Sequence, residues 1–219
     1  KRRHRRPPTR PIPPNGCRIG PRTGGVPSDA RNDGNRATCG QPRPCRPDGA
    51  ALAFAPVAQD PSLDIELHPV GGAPLPLSQL LTLFPMAAVV LDPYTHESSW
   101  LLDTARRILT EFRDADVRVA YLVTGTDSDG AAKFLGPLAD EILGLADPDR
   151  ALVRSLGLDA LPALVAIRQD GHLMGAAEGW DPAAWRAVID SLVALTAWSR
   201  PEIPAAGDPA PYAGTTALG

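Results

Sequence analysis

Five consecutive residues, Ala87-Ala88-Val89-Val90-Leu91, are apolar without interruption, β-branched at their centre and followed at once by Asp92-Pro93. A strand with one wet face alternates polar and apolar side chains; this run does not, so it reads as a central strand covered on both faces. Cover on both faces demands layers above and below a sheet, which confines the chain to α/β architectures.

The flanking patterns supply those layers. Leu63, Ile65 and Leu67 alternate with Asp64, Glu66 and His68, and Gly71-Gly72 then precedes Leu75-Pro76-Leu77, the pattern of an antiparallel hairpin. After Asp92-Pro93, Ser98 or Ser99 offers a capping oxygen for a helix running to about Arg113, with Leu101, Ala105, Ile108, Leu109 and Phe112 on one face. Val117 to Thr124 reads as a second strand, Asp127 to Leu138 as a helix and Ile142 to Ala146 as a short strand. Asp147-Pro148-Asp149 opens a helical turn that Gly157 closes. Two strands, Ala163 to Ile167 and His172 to Ala177, flank Asp170-Gly171, a two-residue hairpin signal. A last helix starts at Asp181-Pro182 and buries Trp185, Val188, Ile189, Leu192 and Val193. Early units require parallel crossovers and the Asp170-Gly171 turn requires an antiparallel pair. The expected fold class is therefore an α/β sandwich with a mixed central sheet flanked by helices, plus an amino-terminal β-hairpin.

Charge divides the chain in two. Residues 1–50 carry 12 Lys and Arg against 3 Asp, and the remainder carries 10 basic residues against 22 acidic. The basic part holds ten prolines and almost no apolar residue, so it reads as a disordered leader that cannot repay chain entropy by burial. Its opening Lys1-Arg2-Arg3-His4-Arg5-Arg6 could meet a nucleic acid, but the ordinary role of such a run is a solvated arm. Because it lacks an initiator Met and differs in composition from residues 51–219, a second reading is that it is not native coding sequence. Pro7-Pro8-Thr9-Arg10-Pro11 stands where an export signal needs an apolar stretch. The longest apolar runs fall far below the ~18 residues of a membrane span. The expectation is a soluble cytoplasmic protein without a membrane partner, and the acidic balance after residue 50 argues against nucleic acid as that part's ligand.

Cys17, Cys39 and Cys45 all lie in the leader and show no C-x-x-C spacing, so no metal site is expected. No glycine-rich phosphate-binding motif is present and no cofactor is expected. His68 and His172 read as surface histidines. Trp180, Trp185 and Trp198 cluster about the last helix; Trp198 either anchors a partner or staples the carboxyl tail.

Residues 62–196 resemble the thioredoxin-like superfamily, and within it the TlpA and peroxiredoxin branch. The resemblance rests on Leu63-Asp64-Ile65-Glu66-Leu67 with Gly71-Gly72, on Asp147-Pro148-Asp149-Arg150 with Leu156-Gly157-Leu158, and on Leu161-Pro162-Ala163 ahead of Asp170-Gly171. Taken with the composition, it divides the chain into a disordered leader at 1–55, a thioredoxin-like domain at 56–198 and a Pro-rich carboxyl tail at 199–219. The resemblance also implies a cis-proline at Pro162, facing a loop that in this family carries C-x-x-C at a helix start. Here that loop is Asp92-Pro93-Tyr94-Thr95-His96-Glu97-Ser98-Ser99-Trp100. One register puts His96 and Ser99 at the cysteine positions, and a shift of one puts Glu97 and Trp100 there. Neither supplies a thiolate, which disulfide exchange requires.

The resemblance then implies a redox-inactive domain that keeps its groove for an unidentified protein or small thiol, lined by Tyr94, His96, Glu97, Ser98, Ser99, Leu161 and Pro162. Tyr94, Ser98 and Ser99 are also the contacts through which a glutathione-dependent relative would hold its thiol. The alternative is an atypical thiol-disulfide or peroxide oxidoreductase or a glutathione-dependent enzyme.

Overall fold

The computed structural model describes residues 58–218. The leader and its expected disorder, and the leader's cysteines, lie outside the described residues. Along the chain run β1 (Glu66–Pro69), β2 (Leu75–Pro76), α1 (Leu77–Leu80), β3 (Met86–Leu91), α2 (His96–Trp100), α3 (Leu102–Glu111), β4 (Arg118–Thr124), α4 (Ser128–Leu135) and α5 (Leu138–Glu141). Then come β5 (Leu143–Asp147), α6 (Ala151–Leu156), β6 (Ala160–Leu161), β7 (Ala163–Ile167), β8 (Leu173–Glu178), α7 (Pro182–Thr196) and β9 (Thr215–Thr216).

Seven strands form one sheet in the order β2-β1-β5-β4-β3-β7-β8. β3 pairs parallel with β4 and antiparallel with β7, and β5 pairs parallel with β4 and antiparallel with β1, so the sheet changes sense on both sides of its parallel centre. Every residue of β3 is buried. Ala87, Val89 and Leu91 pack on one face against Ile108, Leu109 and Phe112 of the α3 region and Trp185 and Ile189 of α7. Met86, Ala88 and Val90 pack on the other against Leu77 and Leu80 of α1 and Leu152, Val153 and Leu156 of α6. Side chains alternate across a strand, so two covered faces leave no position for a polar residue. Each large apolar side chain buried there contributes ~1.5–3 kcal/mol.

The structure redraws several boundaries. β1 begins at Glu66 rather than Leu63, because the carbonyls of Leu63 and Ile65 accept from the Ser78 and Leu77 N–H groups at the start of α1. The helix expected from Ser98 to Arg113 splits at Leu101, whose N–H bonds Ser98 O in a tightened turn. The 127–138 helix stops at Gly136-Pro137, where Gly136 has φ +54, and resumes as α5. The β7–β8 turn has three loop residues, not two. Arg168 N–H bonds His172 O, Gly171 N–H bonds Arg168 O, and Gly171 takes φ +87. Among the described residues no helix is long and apolar enough to cross a membrane.

Residues 199–218 fold back over the domain. Ile203 joins the core under α3 and α7, and Asp208 accepts from Thr104 and from both Nη2–H bonds of Arg107 at 2.8–2.9 Å. The Trp198 indole donates to Glu111 O at 2.7 Å, which staples the start of this segment to the end of α3. Beyond Asp208 the segment crosses the domain to β9, which pairs antiparallel with β6.

Candidate functional site

β3, β4 and β5 are mutually parallel, and the loops at their carboxyl ends gather where β3 also meets antiparallel β7. In open α/β sheets this is where ligand sites form. Asp92, which ends β3, is 5% exposed and organises the loop. Its Oδ1 accepts from Tyr94 N–H at 2.9 Å, its main-chain O accepts from the Thr95 hydroxyl at 3.1 Å, and its Oδ2 meets Arg150 Nη2 at 2.8 Å.

Ser98 closes the loop from within. Its hydroxyl oxygen accepts from Asp92 N–H and its hydrogen is donated to Thr95 Oγ1, both at 2.9 Å, and the residue is fully buried. This corrects the expected helix cap: Thr95 is the N-cap residue, α2 has no side-chain cap, and Ser99 Oγ donates back to Thr95 O. The two hydroxyls are thus committed to Asp92 and Thr95, not to His96 or Glu97, so the loop does not assemble the mutually bonded nucleophile and base that covalent catalysis uses.

The groove candidates separate on this geometry. Tyr94 is 74% exposed and turns away, while the His96 ring stacks on Trp100 with centroids 6.4 Å apart. Glu97 faces the groove with its carbonyl, which accepts from the Tyr212 hydroxyl at 2.7 Å. Leu161 is buried opposite, paired with Thr215, and the Leu161–Pro162 bond is cis. The space between Glu97 and Leu161 is therefore filled by the chain's own residues 212–217.

Arg150, at φ +53, ties the floor together. Its guanidinium reaches Asp92 and Ala217 O, the latter at 2.6 Å, and lies over Gly125, where a Cβ would stand 2.8 Å from Nη2. Just before it, Asp147 accepts from Ala151 and Leu152 N–H at 2.7 and 3.0 Å, and burial pushes its carboxyl above the usual range despite those bonds. Burial, reinforced by the charge of Glu97, likewise raises the Tyr212 phenol, so that hydroxyl stays a donor. Asp92, Arg150, Tyr212, Gly214, Thr215 and Ala217 were absent from the candidates read off the sequence. The Asp147-Pro148-Asp149-Arg150 run was the one signal that could have led to Arg150.

His68 is half-buried in β1, and His172 is exposed beside Asp60 at 3.2 Å. Among the described residues no group of His, Cys, Asp and Glu could hold a metal ion. One concavity, of about 560 Å³, lies beside α3 among Asp103, Arg106, Arg107, Thr110 and Glu111. Another, of about 520 Å³, is lined by Glu178, Trp180, Asp181, Pro211, Tyr212 and Ala213, beside the segment that fills the groove.

A Chlorobium tepidum protein assigned as thiol:disulfide interchange protein DsbE superposes with a TM-score of 0.52 at 18% identity, over 63% of this chain and 96% of that one. The hypothetical protein SMc02350 of Sinorhizobium meliloti 1021 superposes at 0.55 and 10% identity, over 74% of this chain and 93% of that one. The fold is thioredoxin-like. No family model and no curated protein matches the chain in sequence. In this thioredoxin-like frame the loop after β3 is the one at which the sequence resemblance places a dithiol, and residues 51–219 contain no cysteine.

Proposed function

We propose that the thioredoxin-like domain is a non-catalytic module that binds an extended protein segment. The observation that carries this reading is the start of α2, where His96-Glu97-Ser98-Ser99 stands and the hydroxyl of Ser98 is buried and doubly hydrogen-bonded. Disulfide exchange needs a thiolate that attacks sulfur, and a hydroxyl cannot substitute. A small-thiol site on Tyr94, Ser98 and Ser99 has less support, since Tyr94 turns outward and Ser98 is enclosed.

The test is reduction of insulin disulfide and of a hydroperoxide by the full chain with Cys17, Cys39 and Cys45 replaced by Ser. No turnover above background is expected. Turnover would return the domain to the oxidoreductases.

A further inference from the structure

Residues 212–217 lie in the groove as a bound peptide would. Tyr212 and Trp180 exchange both main-chain hydrogen bonds, at 2.8 and 3.0 Å; β9 pairs with β6; and Ala217 N–H donates to Asp159 O at 2.8 Å. Side chains then fix the register. The Tyr212 hydroxyl donates to Glu97 O, Thr215 Oγ1 donates to Leu161 O at 3.3 Å, and Ala217 O accepts from Arg150. The Tyr212 ring also meets Trp100 edge-on at 6.1 Å.

Between these anchors two main chains cross almost in contact. Gly214 has φ +84, and a Cβ on it would stand 2.6 Å from Leu161 O. Below it, a Cβ on Gly179 would stand 2.5 Å from Tyr212 O. Only glycine fits either position. Within residues 211–217 only Ala217 is fully buried and Tyr212 packs half-buried against the core, so two apolar anchors flank a centre held by main-chain pairing. Main-chain pairing for affinity with side-chain positions for selection is how sheets recognise peptides.

We propose that the β6 edge is a strand-addition site selective for an extended segment of the pattern Tyr-x-Gly-Thr-x-Ala. Tyr212–Ala217 is its resident occupant, and a partner chain carrying that pattern binds by displacing it. The proposal rests on the binding-module reading and gives it a ligand class.

The test titrates a fluorescent peptide of residues 208–218 into the full chain and into its Tyr212→Ala/Gly214→Val variant, read by anisotropy. The variant should bind at least ~10-fold more tightly, because a resident occupant lowers the fraction of open sites. A peptide with Val in place of its Gly should bind neither. Equal affinity for both proteins, or indifference to the peptide's Gly, would overturn the proposal.

Hydrogen exchange on the unsubstituted chain decides the matter even where the variant misfolds. The Tyr212 and Ala217 amides should exchange by local opening, well before those of the β3–β4 ladder. Exchange of both sets only on global unfolding would make residues 212–217 a fixed part of the fold and end the proposal. Disulfide turnover by the cysteine-free chain would instead remove the binding-module reading and leave these displacement results standing, so the two failures are distinguishable.

Discussion

The wall of the groove and the strand that occupies it are built from different materials. The wall formed by Asp92 to Ser99 is a closed set of short hydrogen bonds around two buried residues, backed by α3 and the core. Seated against it, residues 212–217 fully bury a single side chain and hold on through main-chain pairing and three side-chain hydrogen bonds. The wall is scaffold, whose loss the fold must feel. The strand is a contact that another chain could supply, and the contrast makes a domain without its own thiol a candidate for recognition.

The largest expected effect breaks the scaffold from beneath. Ile108→Ala removes a fully buried side chain from the inner face of α3 and should cost ~2–5 kcal/mol in urea unfolding. Next, Ser98→Ala strips the buried Asp92 N–H of its acceptor and should cost ~1–3 kcal/mol, measured the same way. A cost near zero would show the loop to be as replaceable as the resident strand.

Tyr212→Phe deletes one hydrogen bond and keeps the ring, so global stability should fall by only ~0.5–1.5 kcal/mol. Exchange of the Ala217 amide should accelerate and stay well ahead of the β3 amides, which speed up only by the fall in global stability. Ala217 exchange no faster than that of β3 would erase the distinction between scaffold and resident strand.

The smallest effect is a pH step. Burial works to raise the Asp208 carboxyl, but the Ala205 N–H, Arg107 and Thr104 together hold it below its ordinary value of 3.8. A carboxyl depressed in the folded state contributes stability that is present above 3.8 and is lost as pH falls through the folded value. Acidification below 3.8 should therefore loosen the carboxyl segment. Trp180, whose indole donates to Pro209 O, reports it by fluorescence, and Asp208→Asn should abolish the step.

The scaffold was largely legible in the sequence and the resident strand was not. Ala87–Leu91 announces two covered faces because burial on both sides leaves no polar position. Trp185, Val188, Ile189 and Leu192 announce α7 by their spacing. The split at Leu101 is invisible because Leu101 and Ala105 keep one helical period across it. Ser98 reads as a cap because a hydroxyl near a helix start usually is one; its true partner, the Asp92 N–H, depends on how the loop turns. β9 is two residues long and carries no period, and the Gly179 and Gly214 crossing joins positions far apart in the chain whose meaning exists only once the backbones meet.

The most direct test of where this domain recognises its ligand is amide chemical-shift mapping of the unlabelled 208–218 peptide on the isotope-labelled Tyr212→Ala/Gly214→Val chain. The account predicts shifts confined to Glu97, Arg150, Asp159 to Leu161 and Gly179 to Trp180, the groups that hold residues 212–217 in the structure. Shifts centred instead on the opposite end of the sheet, around Leu83 and Phe84, would contradict it.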